Sequence, residues 1–573
     1  LLWLPLILLS IDKIIFNPNS KKWTFLFILA LVSQFFAGHL QTSFYVILSS
    51  FFYLVYKLWQ IDKKLRLKFF LLFTFYFSLF TLITAIQWLP TLELIFHSAR
   101  ETDQAGVLTR KDWFLPFQHL VQLIAPDFFG NPTTGNYWGE WNYGEFVSFI
   151  GIVPFFFVFL AFFNFWRNKF IKLFSLTALI FLSFALPTPW AKLAFLLKIP
   201  FINSAQPSRL IGLIDFCLAI LAAFGLNQLL SFKENKSLKK EEIISFTFLF
   251  LLISSLWFFV FQAANFFPGA EWLINLKVTQ RNLILPTLVL GILFLLLIIK
   301  RLFFQVTTTL QCKVNTWLFV FLTIGELFRF GWKFTPFSPK EWIFPSTKTI
   351  EFLKQDNSLY RIMSVDRRLF PANFTIAYYL QAVSGYDPLY LKDYAMLITK
   401  MESGQKRIAS FNRIIEPANY ESPIVDKLNI KYILSLQDLN SDKLAKVFQE
   451  GETRIYENVK FEPRIKLTPD ANEDNIKILA YQPNKIKLRV NNTNDKKLIL
   501  ADSYYSGWQA VINGKKNIIE KTPENFREIR LTEGDNLIEF IYRPNTFQSG
   551  MILSGLGIIC LVIFLKKYNF SKL

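Results

Sequence analysis

The sequence predicts a polytopic α-helical membrane protein with an extracytoplasmic domain that combines an α/β region with a β-sandwich. Apolar stretches recur through residues 1–331 and again near the C-terminus, and a long polar block separates the two. Phe accounts for 66 of the 573 residues, and most of it lies in the apolar stretches. Because lipid cannot satisfy bare backbone groups, a bilayer core is crossed by helices of about 20 apolar residues.

About ten stretches are predicted as spans on this basis. They are Trp23–Phe36, Thr42–Tyr56, Phe69–Leu89, Phe146–Phe163, Leu173–Leu186, Leu210–Leu230, Ile244–Ala263, Leu283–Ile299, Trp317–Phe330 and Met551–Leu565. Leu1–Leu9 looks like the tail of another span, since it has neither a basic start nor a small-residue cleavage site. Because the chain begins with Leu, we expect an N-terminal segment to be missing.

Loop charge predicts the orientation of the spans, because Lys and Arg in short loops stay cytoplasmic. The basic residues that fall on alternate loops are Lys13, Lys21, Lys22, Lys57, Lys63, Lys64, Arg66, Lys68, Arg167, Lys169, Lys172, Lys233, Lys236, Lys239, Lys240, Lys300, Arg301, Lys566 and Lys567. The opposite side then holds loop 92–145 and the polar block. This bias explains part of the net charge of +20, and no nucleic-acid motif accompanies it.

These patterns predict four domains. Residues 1–331 form a multi-span transmembrane domain with outer loop 92–145, and residues 332–459 form an extracytoplasmic mixed α/β region. Residues 460–547 form an extracytoplasmic β-sandwich, because short alternating segments are separated by turn signals, among which Asn513-Gly514 predicts a hairpin. Residues 548–573 form a C-terminal transmembrane helix and a cytoplasmic tail. The localisation is therefore the cell membrane, multi-pass, with the large domain outside.

Candidate functional residues gather at the predicted outer boundary of the membrane. They are His39, Gln41, Glu93, Arg100, Asp127, Trp138, Glu140, Trp141, Glu145 and Arg209. Arginines suit a phosphate, carboxylates suit a base, and indole faces suit a sugar. Structural interpretations remain open: the Gly38–Gln41 turn satisfies helix ends, Trp138 and Trp141 form an interfacial belt, and Arg209 snorkels. Asp215, inside a span, pairs with a neighbouring helix or has a function.

Several short motifs together resemble a known family. They are Leu2–Leu6, Gly38–Thr42, Leu89–Glu93 with Ser98 and Arg100, Pro126–Gly130, Gly144-Glu145, Pro207–Arg209, Ser384–Pro388, Leu428–Leu434 and Tyr504–Trp508. Their order resembles the bacterial YfhO-type membrane proteins, which belong with the GT-C glycosyltransferases. The resemblance implies a GT-C-like fold and transfer of a sugar from a polyprenyl-phosphate donor to an extracytoplasmic cell-envelope polymer such as lipoteichoic acid.

The resemblance also implies roles for the candidate residues. Arg100 and Arg209 bind the donor phosphate. The sugar and acceptor pocket is formed by His39, Gln41, Trp138, Glu140 and Trp141. Glu93, Glu145 and Asp127 are the candidate catalytic acids, although the acidic first outer loop that usually supplies the base is absent from this sequence. No cofactor is assigned, and a divalent metal is left open. The alternative function is a non-enzymatic transporter or an envelope scaffold with an outer partner-binding domain.

Overall fold

The computed structural model describes the chain except for residues 101–107, 109, 111, 200–201, 203–204, 232–238, 267–268, 304–308, 335–336, 406–412, 470–474 and 568–573. The predicted loop charges Lys233 and Lys236, and the C-terminal tail from residue 568, lie outside the described residues. The side chains of Lys300 and Arg301 are likewise outside the description.

The described chain is mostly helical, with a β-rich C-terminal region. Its α-helices are α1 (Leu4–Phe16), α2 (Lys21–Phe36), α3 (Leu40–Gln60), α4 (Lys63–Ile83), α5 (Ala85–His97), α6 (Tyr143–Phe146), α7 (Ile152–Phe162), α8 (Lys169–Ala185), α9 (Pro189–Leu196), α10 (Ile211–Ser231), α11 (Lys240–Phe266), α12 (Ala270–Phe303), α13 (Thr309–Gly331), α14 (Lys340–Ile343), α15 (Lys348–Gln355), α16 (Lys392–Ser403), α17 (Pro423–Lys427) and α18 (Asn545–Lys567).

Five described helices are long and apolar enough to cross a membrane. They are Lys63–Ile83, Pro207–Leu230, Lys240–Ala263, Ala270–Ile299 and Asn545–Lys567. A sixth is added if α8 and α9, which are bent by 64° relative to each other, form one broken span. The other predicted spans fall on helices that are shorter or more polar. A membrane location is therefore supported, with fewer clear spans than the ten that the sequence predicts.

Two predicted spans differ from the structure. The stretch Phe69–Leu89 is broken at Thr84, where α4 ends and α5 begins. In the stretch Phe146–Phe163, α7 begins only at Ile152. Gly151 precedes it with φ of 97°, a conformation that an α-helix does not contain and that glycine adopts most readily. Backbone breaks of this kind have no effect on apolar content, so hydropathy alone does not locate them.

Contacts between residues divide the described chain into two compact units. The first unit comprises Leu1–Leu4, Gly38–Tyr53 and Gly106–Phe337, and the second comprises Pro5–Ala37, Leu54–Ala105 and Ser338–Leu573. Both units contain candidate membrane helices. The domain boundaries predicted from the sequence stay a prediction.

In the first unit, α10 packs against α7 and α8. A Cβ atom at Gly225 of α10 would lie 1.8 Å from the carbonyl oxygen of Phe157 in α7. Such close approach of two backbones is how small residues hold membrane helices together. Glu326 of α13 accepts hydrogen bonds from the backbone N–H groups of Ile152 and Val153, at 2.5 and 3.3 Å. It thereby caps the N-terminus of α7, whose first N–H groups have no partner within the helix.

In the second unit, α18 packs against α4 and α5 and repairs the break between them. Ser554 accepts a hydrogen bond from the N–H of Ile86 at 3.0 Å and donates to the carbonyl of Leu82 at 3.3 Å. A Cβ at Gly550 would lie 2.6 Å from the carbonyl oxygen of Ala85. Because backbone groups must be satisfied inside a bilayer, one serine on a small-residue face makes the break tolerable.

The β-rich region begins with a four-stranded sheet. Its strands are β1 (Arg361–Ser364), β4 (Ile430–Ser435), β6 (Thr453–Asn458) and β5 (Leu444–Glu450), in that order. β1 and β4 are parallel, and the remaining pairs are antiparallel. The short strands β2 (Gly385–Tyr386) and β3 (Ile414–Ile415) pair separately.

Two antiparallel sheets then share one core. One has the order β13 (Glu520–Lys521), β14 (Phe526–Leu531), β10 (Lys496–Ser503) and β7 (Ile465–Thr468). The other has the order β12 (Lys515–Asn517), β11 (Trp508–Ile512), β15 (Gly534–Tyr542), β9 (Lys485–Asn492) and β8 (Asn475–Gln482). Alternate apolar residues of both sheets, such as Leu488, Leu498 and Phe540, form the core. This arrangement is a β-sandwich.

The hairpin predicted at Asn513-Gly514 is confirmed. Ile512 pairs with Lys515 across it, and both turn residues have positive φ, 48° and 81°. Positive φ at both central positions is the requirement of a type I′ turn, whose twist matches the flanking strands.

A buried ionic cluster joins the first sheet to the sandwich. We call it the Asp502 cluster; its members are Asp502, Arg361, Arg464, Arg527 and Tyr481. The carboxylate accepts hydrogen bonds from Arg361 at 2.9 Å, from Arg464 at 3.1 Å and from Tyr481 at 2.6 Å, and it forms an ion pair with Arg527 at 3.1 Å. Burial alone would raise the pKa of the Asp502 carboxyl, but the three guanidinium groups lower it overall.

Candidate functional site

The site in the first unit is built around Arg209. The 3₁₀-helix Pro207–Leu210 carries it at the entrance to α10, and Pro207 supplies the fixed φ of a first helical position. The guanidinium binds the Glu145 carboxylate through two nitrogens, with Nε–Oε2 at 2.8 Å and Nη2–Oε1 at 2.7 Å. The side chains of Arg209 and Glu145 are 29% and 22% exposed. A forked, charge-assisted pair therefore lies within reach of solvent.

The turn before α3 brings two more predicted residues to the same guanidinium. Gly38 has φ of 87°, which lets the chain reverse directly before His39. Arg209 Nη1 donates to Gln41 Oε1 at 3.1 Å and lies 3.3 Å from His39 Nε2. Gln41 also donates to the carbonyl of Gln206 at 2.6 Å. We call His39, Gln41, Glu145 and Arg209 the Arg209 cluster.

The hydrogen bonds of His39 place a donor at each ring nitrogen. The Thr42 backbone N–H donates to Nδ1 at 3.2 Å, and Arg209 Nη1 lies 3.3 Å from Nε2. Thr42 Oγ1 also lies 2.9 Å from Nδ1, and these donors favour the neutral ring, which has an acceptor nitrogen, over the doubly protonated one. Burial, followed by the charge of Arg209, lowers the pKa of the imidazole, and Glu145 only partly offsets this. The ring is therefore a neutral acceptor at pH 7, which is the form that the guanidinium requires.

The short helix α6 connects the Arg209 cluster to a second set of polar residues. Asn142 caps α6 by accepting from the N–H of Gly144 at 3.1 Å, and Phe146 is fully buried. While Glu145 of α6 binds Arg209, the Tyr143 hydroxyl bonds to Asp127 Oδ1 at 3.1 Å. Burial and the adjacent Asp127 charge raise the pKa of this hydroxyl, which stays a hydrogen-bond donor.

Asp127 is the centre of that second set, the Asp127 cluster, which also contains Asn131, Tyr143 and Lys333. Asn131 donates to Asp127 Oδ1 at 2.8 Å, and Lys333 forms an ion pair with the other carboxylate oxygen. The loop is fastened to α12, because Asn282 donates to the Asp127 carbonyl at 2.7 Å. Both carboxylate oxygens of Asp127 are therefore occupied.

The predicted aromatic and acidic pocket residues lie in the same loop. Trp138 packs edge-on against Phe129, with ring centroids 4.8 Å apart, and belongs to a hydrophobic cluster. Glu140 contributes its backbone: its N–H lies 3.3 Å from the ring nitrogen Nε2 of the buried His119, and its carbonyl accepts from Tyr137 at 2.5 Å. Trp141 is 70% exposed. Of these residues, Trp141 presents the indole face best placed for a soluble ligand.

The two remaining predicted residues belong to the second unit. The Glu93 carboxylate accepts hydrogen bonds from the hydroxyls of Ser506 and Thr546. It therefore ties α5 to the segment before β11 and to the start of α18. Arg100 donates through its backbone N–H to Ser98 at 3.4 Å. A phosphate shared by Arg100 and Arg209, and a role of Glu93 as base, stay predictions.

Sequence reasoning did not select three residues that the structure connects to the predicted ones: Asn131, Tyr143 and Lys333. The sequence could have indicated Lys333, because this lysine follows a predicted span on the extracytoplasmic side, where short loops contain few basic residues. Asp215, the intramembrane acid, accepts from the Ser148 hydroxyl. Among the residues that the structure describes, no group of three His, Cys, Asp or Glu side chains is arranged to hold a metal ion.

Comparison with known proteins places part of the chain in a family. The family model described as bacterial membrane protein YfhO matches residues 466–554. The uncharacterized protein YfhO of Bacillus subtilis (strain 168) is 29% identical over 89 residues. Residues 466–554 are therefore similar to the bacterial membrane protein YfhO. The match covers 16% of this chain and only 10% of the relative. No solved structure matches the chain.

The matched segment contains much of the sandwich and the first half of α18. It includes Gly507, whose φ of 93° and close approach to Pro544 leave no room for a side chain: a Cβ there would lie 2.8 Å from Pro544 Cα. It also includes Ser506 and Thr546, the two partners of Glu93. The Arg209 cluster lies outside the matched segment.

Proposed function

We propose that this protein transfers a sugar from a polyprenyl-phosphate donor to an extracytoplasmic cell-envelope polymer such as lipoteichoic acid. The observation that supports this most directly is the Arg209 cluster. Three segments distant in sequence bring a cation, a carboxylate, an imidazole and an amide together at the start of a candidate membrane helix. A donor with its tail in the bilayer would present its phosphate at this depth.

In the proposed reaction, the phosphate binds the guanidinium fork that Glu145 occupies in the structure. Arg is suited to this exchange, because its planar donors match carboxylate and phosphate equally. Glu145 is then released beside the reacting centre and takes the proton of the acceptor hydroxyl. The hydroxyl oxygen forms a bond to the anomeric carbon while the bond from that carbon to the phosphate oxygen breaks. Arg209 stabilises the departing phosphate.

The proposal requires the Arg209 cluster to be extracytoplasmic. The alternating basic loops support that orientation, in which Asn491 is outside the cell and the C-terminus is inside. Alkaline phosphatase fused after Asn491 should be active, and the same enzyme fused after Lys567 should be inactive. The reverse pattern would contradict the orientation and, with it, the function.

The test of function is sugar transfer by the full-length protein in proteoliposomes, from a labelled polyprenyl-phosphate sugar to the polymer. A charge-assisted hydrogen bond contributes about 1.5–3 kcal/mol, so Arg209→Ala should lower transfer at least tenfold. Arg209→Lys keeps the positive charge but loses the forked guanidinium, so its transfer activity should lie between that of the wild type and that of Arg209→Ala. Lys192→Ala, at an exposed cation of α9, is the control. If Arg209→Ala retains full specific activity, Arg209 is only a membrane anchor.

A further inference from the structure

The outer ends of α12 and α13, as the loop charges orient them, enclose a cavity that the proposed function does not use. Its volume is about 130 Å³. The charged groups that line it are Asp127, Arg281, Glu326, Arg329 and Lys333. All of these residues belong to the first compact unit.

Some of the charged side chains that line the cavity have a bonded partner, and others do not. Lys333 is paired with Asp127, and the Glu326 carboxylate is held by the N–H groups of Ile152 and Val153. Arg281 and Arg329 are exposed, and neither forms an ion pair or hydrogen bond with any residue that the structure describes. Two guanidinium groups therefore line one cavity without a bonded carboxylate among the described residues, whereas both carboxyl groups of the lining already have partners, and this arrangement favours an anion.

Apart from Asn282, the rest of the lining is apolar. Leu285 and Leu288 follow Arg281 by four and seven residues, so all three lie on the same side of α12. Leu285 is 47% exposed, and its neighbour Leu288 is 58% exposed. A ligand that fits this surface has an anionic head beside the guanidinium groups and an apolar tail along α12.

We propose that this cavity binds the phosphate of an anionic membrane lipid, with the lipid tail lying along Leu285 and Leu288 on the exposed face of α12. The two guanidinium groups supply planar donors for the phosphate oxygens. The small enclosed volume suits a headgroup phosphate, while the tail stays outside the cavity. This site is separate from the Arg209 cluster in its residues, and it holds whether or not the protein transfers a sugar.

The test measures binding of a fluorescent phosphatidylglycerol to the purified full chain in a neutral detergent. The variant Arg281→Gln/Arg329→Gln should weaken binding at least tenfold, and the wild-type affinity should fall as salt is raised. Lys277→Gln is the matched control, because Lys277 is an exposed cation one turn earlier on α12 and does not line the cavity. Arg281→Lys/Arg329→Lys should retain part of the affinity.

Competition experiments distinguish the sources of the phosphate. Unlabelled phosphatidylglycerol and polyprenyl phosphate should both displace the probe, whereas inorganic phosphate at the same concentration should not. If inorganic phosphate competes as well as the lipids, the site takes free phosphate and the lipid proposal is wrong. Equal binding by wild type and by the double glutamine variant would also overturn it. Neither result bears on Arg209, which is tested by sugar transfer.

Discussion

Two clusters in this molecule use the same chemistry, arginine against carboxylate, in opposite surroundings. In the Arg209 cluster, one guanidinium meets one carboxylate, and 29% and 22% of the two side chains are exposed. In the Asp502 cluster, three guanidinium groups surround one carboxylate, and the exposed fractions of Arg464, Arg527 and Asp502 are 2%, 5% and 12%. The first cluster can exchange a partner with a ligand, while the second cannot do so without opening the domain.

The additional contacts of the arginines explain why the buried Asp502 cluster has a structural role. Arg361 also donates to the carbonyls of Leu428 and Ala501, at 2.9 and 2.8 Å, so it fastens β1 and its neighbours to β10. Arg527 lies over the ring of Trp508, with 4.0 Å between its guanidinium carbon and the ring centroid, and this cation–π contact offsets some of the unbalanced charge. The comparison indicates that an arginine–carboxylate pair suggests a ligand site only where the pair is accessible to solvent.

The largest effect is expected where the buried cluster loses its carboxylate. Asp502→Ala would leave three buried guanidinium groups without a counter-charge, a change that typically costs about 3–5 kcal/mol of folding stability. Limited proteolysis and thermal melting of the full chain should show an unfolded β-rich region. Asp535→Asn, which removes an exposed partner of Arg489, is the control and should melt like the wild type. Equal melting of both variants would show that the Asp502 cluster is dispensable.

A smaller loss of folding stability is expected when the positive charge of Arg527 stays but its planar guanidinium is removed. Arg527→Lys keeps a cation near Asp502 and loses the planar stacking on Trp508, a contact of about 2 kcal/mol when desolvated. The melting temperature of the full chain should fall, but by less than for Asp502→Ala. Arg530→Lys, three positions further along β14 at an exposed site, should leave the melting temperature unchanged. A variant as damaging as Asp502→Ala would mean that the fork, not the charge, stabilises the cluster.

The open cluster should respond in the opposite way, with little change in stability and a large change in function. Exposed ion pairs contribute about 0–1 kcal/mol, so Glu145→Gln should hardly shift the melting temperature. It should nevertheless lower sugar transfer strongly, because the amide cannot accept the proton of the acceptor hydroxyl. Glu271→Gln, at an exposed carboxylate at the start of α12, is the control and should leave transfer unchanged. Transfer that survives in Glu145→Gln would remove Glu145 from the proposed reaction.

The sequence predicted the open cluster better than the buried one, for a physical reason. His39, Gln41, Glu145 and Arg209 each stand at the end of an apolar stretch, and loop charge assigns those ends to one side of the membrane. The Asp502 cluster gives no such signal, since Arg361, Arg464 and Asp502 look like ordinary polar residues at strand ends. Their convergence depends on how the first sheet meets the sandwich, which alternation within a strand does not encode. The strands themselves follow from the alternation of apolar and polar residues, as in β9, where Ile486, Leu488 and Val490 are buried.

The smallest expected effect is a pH dependence from His39. Its pKa in the folded protein is lowered by burial and by Arg209, whereas the unfolded chain has the ordinary value of about 6.5. As pH falls below about 6.5, the unfolded state binds the proton first, so stability decreases until the lowered folded pKa is passed. Arg209 and Glu145 are the charged groups that face the ring in the first unit. His39→Gln offers a neutral acceptor at every pH, so its melting temperature should fall less than that of the wild type between pH 7.5 and 5.5. Identical pH profiles would show that the imidazole does not titrate as a member of the open cluster.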